Sequence, residues 1–228
     1  MCLAGRDTTA QSLTWTFYLL MRHPDIAQNV RTELHNLFPG QKTLDLSSNN
    51  LPQPSSLPYT MAVFYESLRL YPPVPFEIKQ CETAATLPDG TFLPQGSVVV
   101  SCTWAMNRSK TSWGSDSACF RPERWLEEET PSTLASHQEG GRLEKKRWKV
   151  ISKTASEFPV FHGGPRSCLG RKMAELLGVY VIANLIWEFD LEERNDEAGG
   201  QERVSKNSLT LPMECGLPCY VAVRKQLD

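Results

Sequence analysis

A mainly α-helical fold with small β-sheets is what this sequence predicts. Apolar residues recur at helical spacing in separate stretches, and one longer apolar run has the length of a buried helix. The extended signals are short and lie between the helical ones. A chain of 228 residues suffices for one ordinary domain with a substantial core, and residues 1–228 are read as one unit.

The first helix is expected from the opening residues to about Arg22, because Leu13, Phe17, Leu20 and Met21 share one face. Met1-Cys2-Leu3 offers no polar cap, so the chain is expected to begin inside an element. Pro24 suits a first helical turn and opens a second helix, with Ile26, Val30, Leu34 and Leu37 on one side. Residues 39–57, rich in Ser, Asn and Pro, read as a loop. A third helix is expected from Pro58 to Tyr71, with Met61, Phe64, Tyr65 and Leu68 as its apolar stripe. Pro72 and Pro73 end it, since neither can continue the ladder.

Asp89-Gly90 signals a tight turn between short extended runs, and Val98-Val99-Val100 reads as a strand core. Residues 108–125 look irregular and aromatic-rich, and 126–157 read as a charged, solvated excursion containing Gly140-Gly141. A long helix is expected after Cys168, to about Phe189. The tail, Ser208 to Arg224, reads as a hairpin with Pro212 and Gly216 in its turn.

A net charge of -2 argues against a general nucleic-acid or anionic-membrane binder. The 7 cysteines are odd in number and scattered, with only Cys215 and Cys219 close together, so neither a disulfide framework nor a zinc ribbon is expected. A reducing compartment suits them better. The opening residues lack a basic start followed by an apolar run, so no signal peptide is expected. The apolar run from Leu176 to Phe189 carries Asn184 and Glu188, too short and too polar to cross a bilayer.

Three constellations carry chemistry. The first is "FHGGPRSCLGRK", Phe161 to Lys172. A single cysteine is ordinarily a small buried hydrophobe. Here Gly163, Gly164 and Gly170 allow unusual backbone or close approach, while a helix start and Arg166, Arg171 and Lys172 favour a thiolate. A phosphate loop fails on spacing, and Met173 stands where Ser or Thr is required. Zinc lacks a nearby CxxC pair, and a hydrolase cysteine lacks a histidine in recognisable context. Ligation of a metal by one thiolate, with a cofactor supplying the other ligands, remains, and haem fits that description. The second constellation is Glu66-Ser67-Leu68-Arg69, whose charges share a helix flank. On a surface such a pair contributes only about 0.3–0.5 kcal/mol. The third is Ala4-Gly5-Arg6-Asp7-Thr8-Thr9, where the hydroxyls could simply satisfy helix carbonyls.

Taken together and in this order, the three resemble the cytochrome P-450 haem-thiolate monooxygenases. The cysteine loop of that family is matched at Phe161, Gly164, Arg166, Cys168 and Gly170, and its Glu-x-x-Arg helix at Glu66 and Arg69. Its Pro-x-Arg element is matched by Pro122-Glu123-Arg124, and its oxygen-activation turn by residues 4–9. The resemblance implies the C-terminal half of that fold, with the N-terminal half and membrane anchor outside this chain. It implies haem b with Cys168 as the axial iron ligand, Arg166 and Lys79 facing propionates, and Gly164 and Gly170 letting backbone amides approach the sulfur. Ala4 and Gly5 are expected to leave room for oxygen, and Asp7 and Thr8 to relay protons. Glu66, Arg69 and Arg124 are expected to form a buried ionic network. Lys79 stands where many members carry Arg or His.

The implied reaction inserts one oxygen atom of O2 into a C–H bond of a lipophilic substrate, with electrons from NADPH through a flavoprotein reductase. "LPDGTFLPQGS", "RPERWLEEE" and "AGRDTTAQSLTW" look most like the branch that hydroxylates fatty acids and alkanes. The implied setting is the cytosolic face of the endoplasmic reticulum membrane. Basic residues of the charged excursion, Arg142, Lys145, Lys146, Arg147 and Lys149, are either solvated or docking charge for the reductase. A haem-thiolate isomerase or dehydratase, and a non-catalytic haem-binding fragment, are the alternative readings.

Overall fold

The computed structural model describes residues 2–41, 44, 53–129, 147–194, 202–206 and 208–224, with the side chains of 2–4 left out. Six α-helices and eight short strands follow one another among these residues. Helix α1, Cys2–Arg22, leads after one residue into α2, Pro24–Leu37. Helix α3, Pro58–Leu70, is the centre of the molecule, and every residue from Thr60 to Leu70 is buried. The expected four-residue stripe therefore understates it. Helices α1, α2 and α6 (Arg171–Glu188), the 3-10 turn Pro122–Trp125 and a small sheet all pack on α3.

Pro58 opens α3 without a capping side chain of its own. The cap comes from α2. The Glu33 carboxylate accepts from the Tyr59 N–H (2.6 Å), the Thr60 N–H (2.9 Å) and the Thr60 hydroxyl (2.7 Å). Burial nevertheless raises the Glu33 pKa above the usual range, against the pull of these bonds. Helix α6 approaches α3 at Gly178. A Cβ there would stand 2.6 Å from the Phe64 ring, so the two helices meet only because this position has no side chain.

The strands pair as four two-stranded antiparallel sheets. Strand β1 (Phe76–Gln80) pairs with β4 (Val98–Cys102), setting Ile78 opposite Val100. Val98, Val99 and Val100 are exposed, so the predicted strand is present but is not a core element. Strands β2 (Ala85–Thr86) and β3 (Phe92–Leu93) enclose the Asp89-Gly90 turn, where Gly90 takes φ 88°. Two four-residue helices follow, α4 (Thr103–Met106) directly after β4 and α5 (Lys110–Trp113) inside the stretch expected to be irregular.

Strand β5 (Leu126–Glu128) pairs with β6 (Trp148–Val150), closing the base of the charged excursion. Arg142, Lys145 and Lys146 lie outside the described residues. Lys149 is described and pairs with Glu127 at 3.1 Å.

The tail corrects the sequence reading. Strand β8 (Cys219–Val223) pairs with β7 (Phe189–Glu193), which continues directly from α6. The local signals still act. The Gly216 N–H donates to the Met213 carbonyl, and Met213 forms an isolated bridge with Ser205. The segment before Pro212 bends, so β8 finds its partner on the end of the long helix.

Candidate functional site

Glu66 and Arg69 are completely buried, and their charges demand partners. Arg69 Nε and Nη2 each donate at 2.8 Å to the two oxygens of Glu66. Arg69 Nη1 donates to the Asn107 and Ser117 carbonyls, both at 2.6 Å, and Nη2 donates also to the Cys119 carbonyl. All the guanidinium donors are thereby used. Glu66 in turn accepts from Arg124 Nε (2.8 Å), the Arg121 backbone N–H (3.0 Å) and the Trp125 indole N–H (2.8 Å). Arg124 reaches on to Asp116 at 3.3 Å. Asp116 is shared with the exposed Arg121 guanidinium at 2.8 Å, while Glu66 holds both buried guanidiniums, so no buried charge is stranded.

Sequence spacing could find Glu66, Arg69 and Arg124. It missed the Trp125 indole and the carbonyls of residues 107, 117 and 119. Backbone acceptors carry no sequence signal, although the tryptophan beside Arg124 was visible.

The cysteine loop runs from this network to α6. Phe158 and Phe161 are buried, and Phe158 stacks edge-on to Trp125. His162 (φ 57°) and Gly164 (φ 65°) both take left-handed backbone, which suits the glycine and marks His162 as held by its surroundings. The Cys168 N–H donates to the Phe161 carbonyl at 2.8 Å, closing the loop on itself. Cys168 is exposed, and α6 starts three residues later behind Gly170. A Cβ on Gly170 would lie 3.9 Å from Cys168 Sγ, an ordinary contact, so this glycine is not required by the sulfur's fit against the protein itself.

Arg166 is exposed on the loop. Lys79, on β1, is exposed and pairs with Glu77 at 3.0 Å. Glu77 also lies 3.0 Å from His162 Nδ1, so it brings β1 and the cysteine loop together, a contact sequence reasoning did not foresee. Burial raises the Glu77 pKa, but the Lys79 ammonium and the nearby His162 imidazole outweigh it and hold the carboxyl below the usual range. In α1, Asp7 is paired with Arg6 at 2.8 Å, and the Thr8 carbonyl accepts from the Ser12 hydroxyl. The Ala4 side chain lies outside the described part, and a Cβ on Gly5 would meet nothing within 4 Å.

No group of three or more His, Cys, Asp or Glu residues that could hold a metal occurs among the described residues. A ligand set built wholly from side chains is therefore not present in that part. What the site offers is one accessible thiol, exposed cations on two elements, and apolar side chains beside them. Leu169 is 83% and Met173 66% exposed. These features suit a haem, which brings its own four nitrogens, can take its protein ligand from a cysteine thiolate, and presents both an apolar plane and anionic propionates. A separate cavity of about 670 Å³, lined by Trp15, Tyr18, Arg22, Tyr71, Arg108 and Arg203 among others, is not part of the cysteine loop.

Fold and site together define a helical protein with an accessible cysteine loop braced on a buried carboxylate–guanidinium helix. A family model described as Cytochrome P-450 matches residues 1–214, and the chain belongs to that family. It is 34% identical over 222 residues to cytochrome P-450 94A1 of Vicia sativa, covering 97% of this chain and 39% of that one. It is also 34% identical over 192 residues to the alkane hydroxylase MAH1 of Arabidopsis thaliana, covering 84% of this chain and 33% of that one. The crystal structure of a cytochrome P-450 (CYP102L1) superposes with a TM-score of 0.74 at 26% identity, over 97% of this chain and 43% of that one. The chain thus spans about two-fifths of the length of such relatives.

Proposed function

We propose that this chain carries the haem-thiolate half of a monooxygenase that inserts one oxygen atom from O2 into a C–H bond of a fatty acid or alkane. The observation that carries the reading is Cys168, accessible in a loop of the family's pattern. The similarity to an enzyme named an alkane hydroxylase supports the substrate class.

In this reading Cys168 Sγ would bind the haem iron, and Phe161, Gly164 and Gly170 would shape the backbone around it. Arg166 and Lys79 hold propionates, Lys79 as a point charge without a bidentate grip. Ala4 and Gly5 leave space above the haem face, while Asp7 and Thr8 hold and pass protons there. Asp7 must then turn from its pairing with Arg6. Glu66, Arg69 and Arg124 keep the proximal core in place. A haem held there would supply the redox chemistry that activates O2, with Cys168 as its thiolate donor. Electrons come from NADPH through a flavoprotein reductase. For the family-length protein, the cytosolic face of the endoplasmic reticulum membrane is the proposed setting. No described helix is long and apolar enough to cross a membrane.

The test is reconstitution of the chain with haem, reduction, and addition of carbon monoxide. A red-shifted thiolate band that disappears in Cys168→Ser supports the reading, and haem binding unaffected by that substitution sinks it. Product analysis with a reductase, NADPH and a long-chain fatty acid then tests hydroxylation, and an NADPH-independent rearrangement of a lipid peroxide would favour the isomerase instead.

A further inference from the structure

Arg171 opens α6, and a cation in the first turn of a helix opposes the macrodipole. Its position needs a local reason, and four contacts supply one, the longest of the hydrogen bonds running from Arg171 Nη2 to the Tyr65 hydroxyl at 3.4 Å. Arg171 Nε donates to Glu175 Oε1 at 2.7 Å, one turn along the helix. The Tyr65 hydroxyl, from α3, donates to the same oxygen at 2.6 Å. The Arg171 guanidinium sits over the Phe161 ring, 5.2 Å from its centroid. Phe161 is the residue whose carbonyl accepts the Cys168 N–H. Tyr65 precedes Glu66 in α3 and packs on the Trp125 and Phe158 rings.

We propose that Tyr65, Glu175 and Arg171 form a clamp that positions the Cys168 loop by holding the Arg171 guanidinium over Phe161. The inference deepens the proposed reading of that loop and assigns the three residues a positioning role. Glu175 is the hinge point, because its one oxygen serves both the tyrosine of α3 and the arginine of α6. Burial and this shared carboxylate push the Tyr65 phenol up to about 12, so it remains a donor throughout the neutral range. Burial lowers the Arg171 pKa, but its hydrogen bonds to Glu175 and Tyr65 outweigh burial and raise it. With Glu175 removed, Arg171 faces the helix N-terminus without its counter-charge and leaves the ring. Phe161 then loses its outer cover, and the loop opens at the Phe161–Cys168 hydrogen bond.

Amide hydrogen exchange on the full chain without haem tests this, and so stands apart from the monooxygenase reading. In Glu175→Ala and Arg171→Ala, exchange across residues 161–170 is expected to rise about tenfold, with the α6 interior from Gly178 to Ile186 unchanged. Arg171→Lys retains the charge but not the planar face, and is expected to fall between these variants and the wild type. Loop exchange that stays at the wild-type rate overturns the proposal. So does equal acceleration of the loop and the α6 interior, which marks general loosening. Should Glu175→Ala fail to fold, Tyr65→Phe removes only the phenol oxygen and is expected to accelerate loop exchange about threefold, with an unchanged rate again overturning the clamp. A wild-type chain that binds no haem counts against the proposed function alone.

Discussion

The Glu66–Arg69 network and the Cys168 loop adjoin one another but handle charge in opposite ways. In the network, every Arg69 donor has an acceptor, and both charged groups are wholly buried. In the loop, Cys168 and Arg166 stand exposed, and the bonds that hold the segment are made by backbone and neighbouring side chains. One region spends its polar groups on the fold, and the other keeps them available. A buried ion network contributes little net stability, because desolvation offsets the attraction, but it cannot lose one member without stranding another. An accessible thiol carries no such obligation.

The largest effect should therefore come from the network. Arg69→Ala leaves Glu66 short of its main counter-charge and the carbonyls of residues 107, 117 and 119, two of them in buried bonds, without their donor, and should cost about 3–5 kcal/mol in chemical denaturation. With ordinary domain stability near 5–15 kcal/mol, that removes a large share of it. A loss below 1 kcal/mol would break the contrast. Trp125→Phe tests the network more gently, since it deletes only the indole N–H to Glu66. The expected loss is about 1–3 kcal/mol, read from the same denaturation curves. Gly178→Ala probes packing without charge. Its Cβ clashes with the Phe64 ring, and the expected cost is about 1–3 kcal/mol with the thermal midpoint lowered accordingly.

Cys168→Ser sharpens the comparison from the other side. Replacing an exposed thiol should change stability by no more than about 0.5 kcal/mol, while abolishing the thiolate band of a haem-loaded chain. The smallest effect concerns Glu77. Its folded-state pKa is depressed, so the stability it contributes is present above the ordinary carboxylate pKa and is lost as pH falls through the lower folded value. Wild type should exceed Glu77→Gln in urea midpoint near neutrality, with the gap closing below about pH 4. A gap independent of pH would remove Glu77 as the charged link between β1 and the loop.

Helix boundaries were legible wherever local chemistry sets them. Pro24 and Pro58 mark helix starts, and the break after α3 was visible in Pro72 and Pro73. The pairing of β8 was not legible. Its partner β7 is separated from it by residues whose own turn signals suggested a hairpin, and strand pairing depends on which edge the fold brings near. At the site, Cys168, Glu66, Arg69 and Arg124 could be singled out because their residue types and spacings are unusual together. Glu77–His162 and the Tyr65–Glu175 bond could not, since each joins elements distant in sequence, whereas only the Arg171–Glu175 pair, four apart on one helix, has a spacing that the sequence shows.

By itself, then, the sequence determined the four long helices, their breaks, the glycine-bearing cysteine loop and the family. Each is written in local order, where backbone preferences and motif spacing act over a few residues. Only the tertiary structure decided that the charges of α3 lie in its driest place, that five donors converge on Glu66, and that the cysteine loop is braced from both β1 and α6. Those facts depend on burial and on backbone atoms, and neither is present in a string of side-chain names until the chain has folded around them.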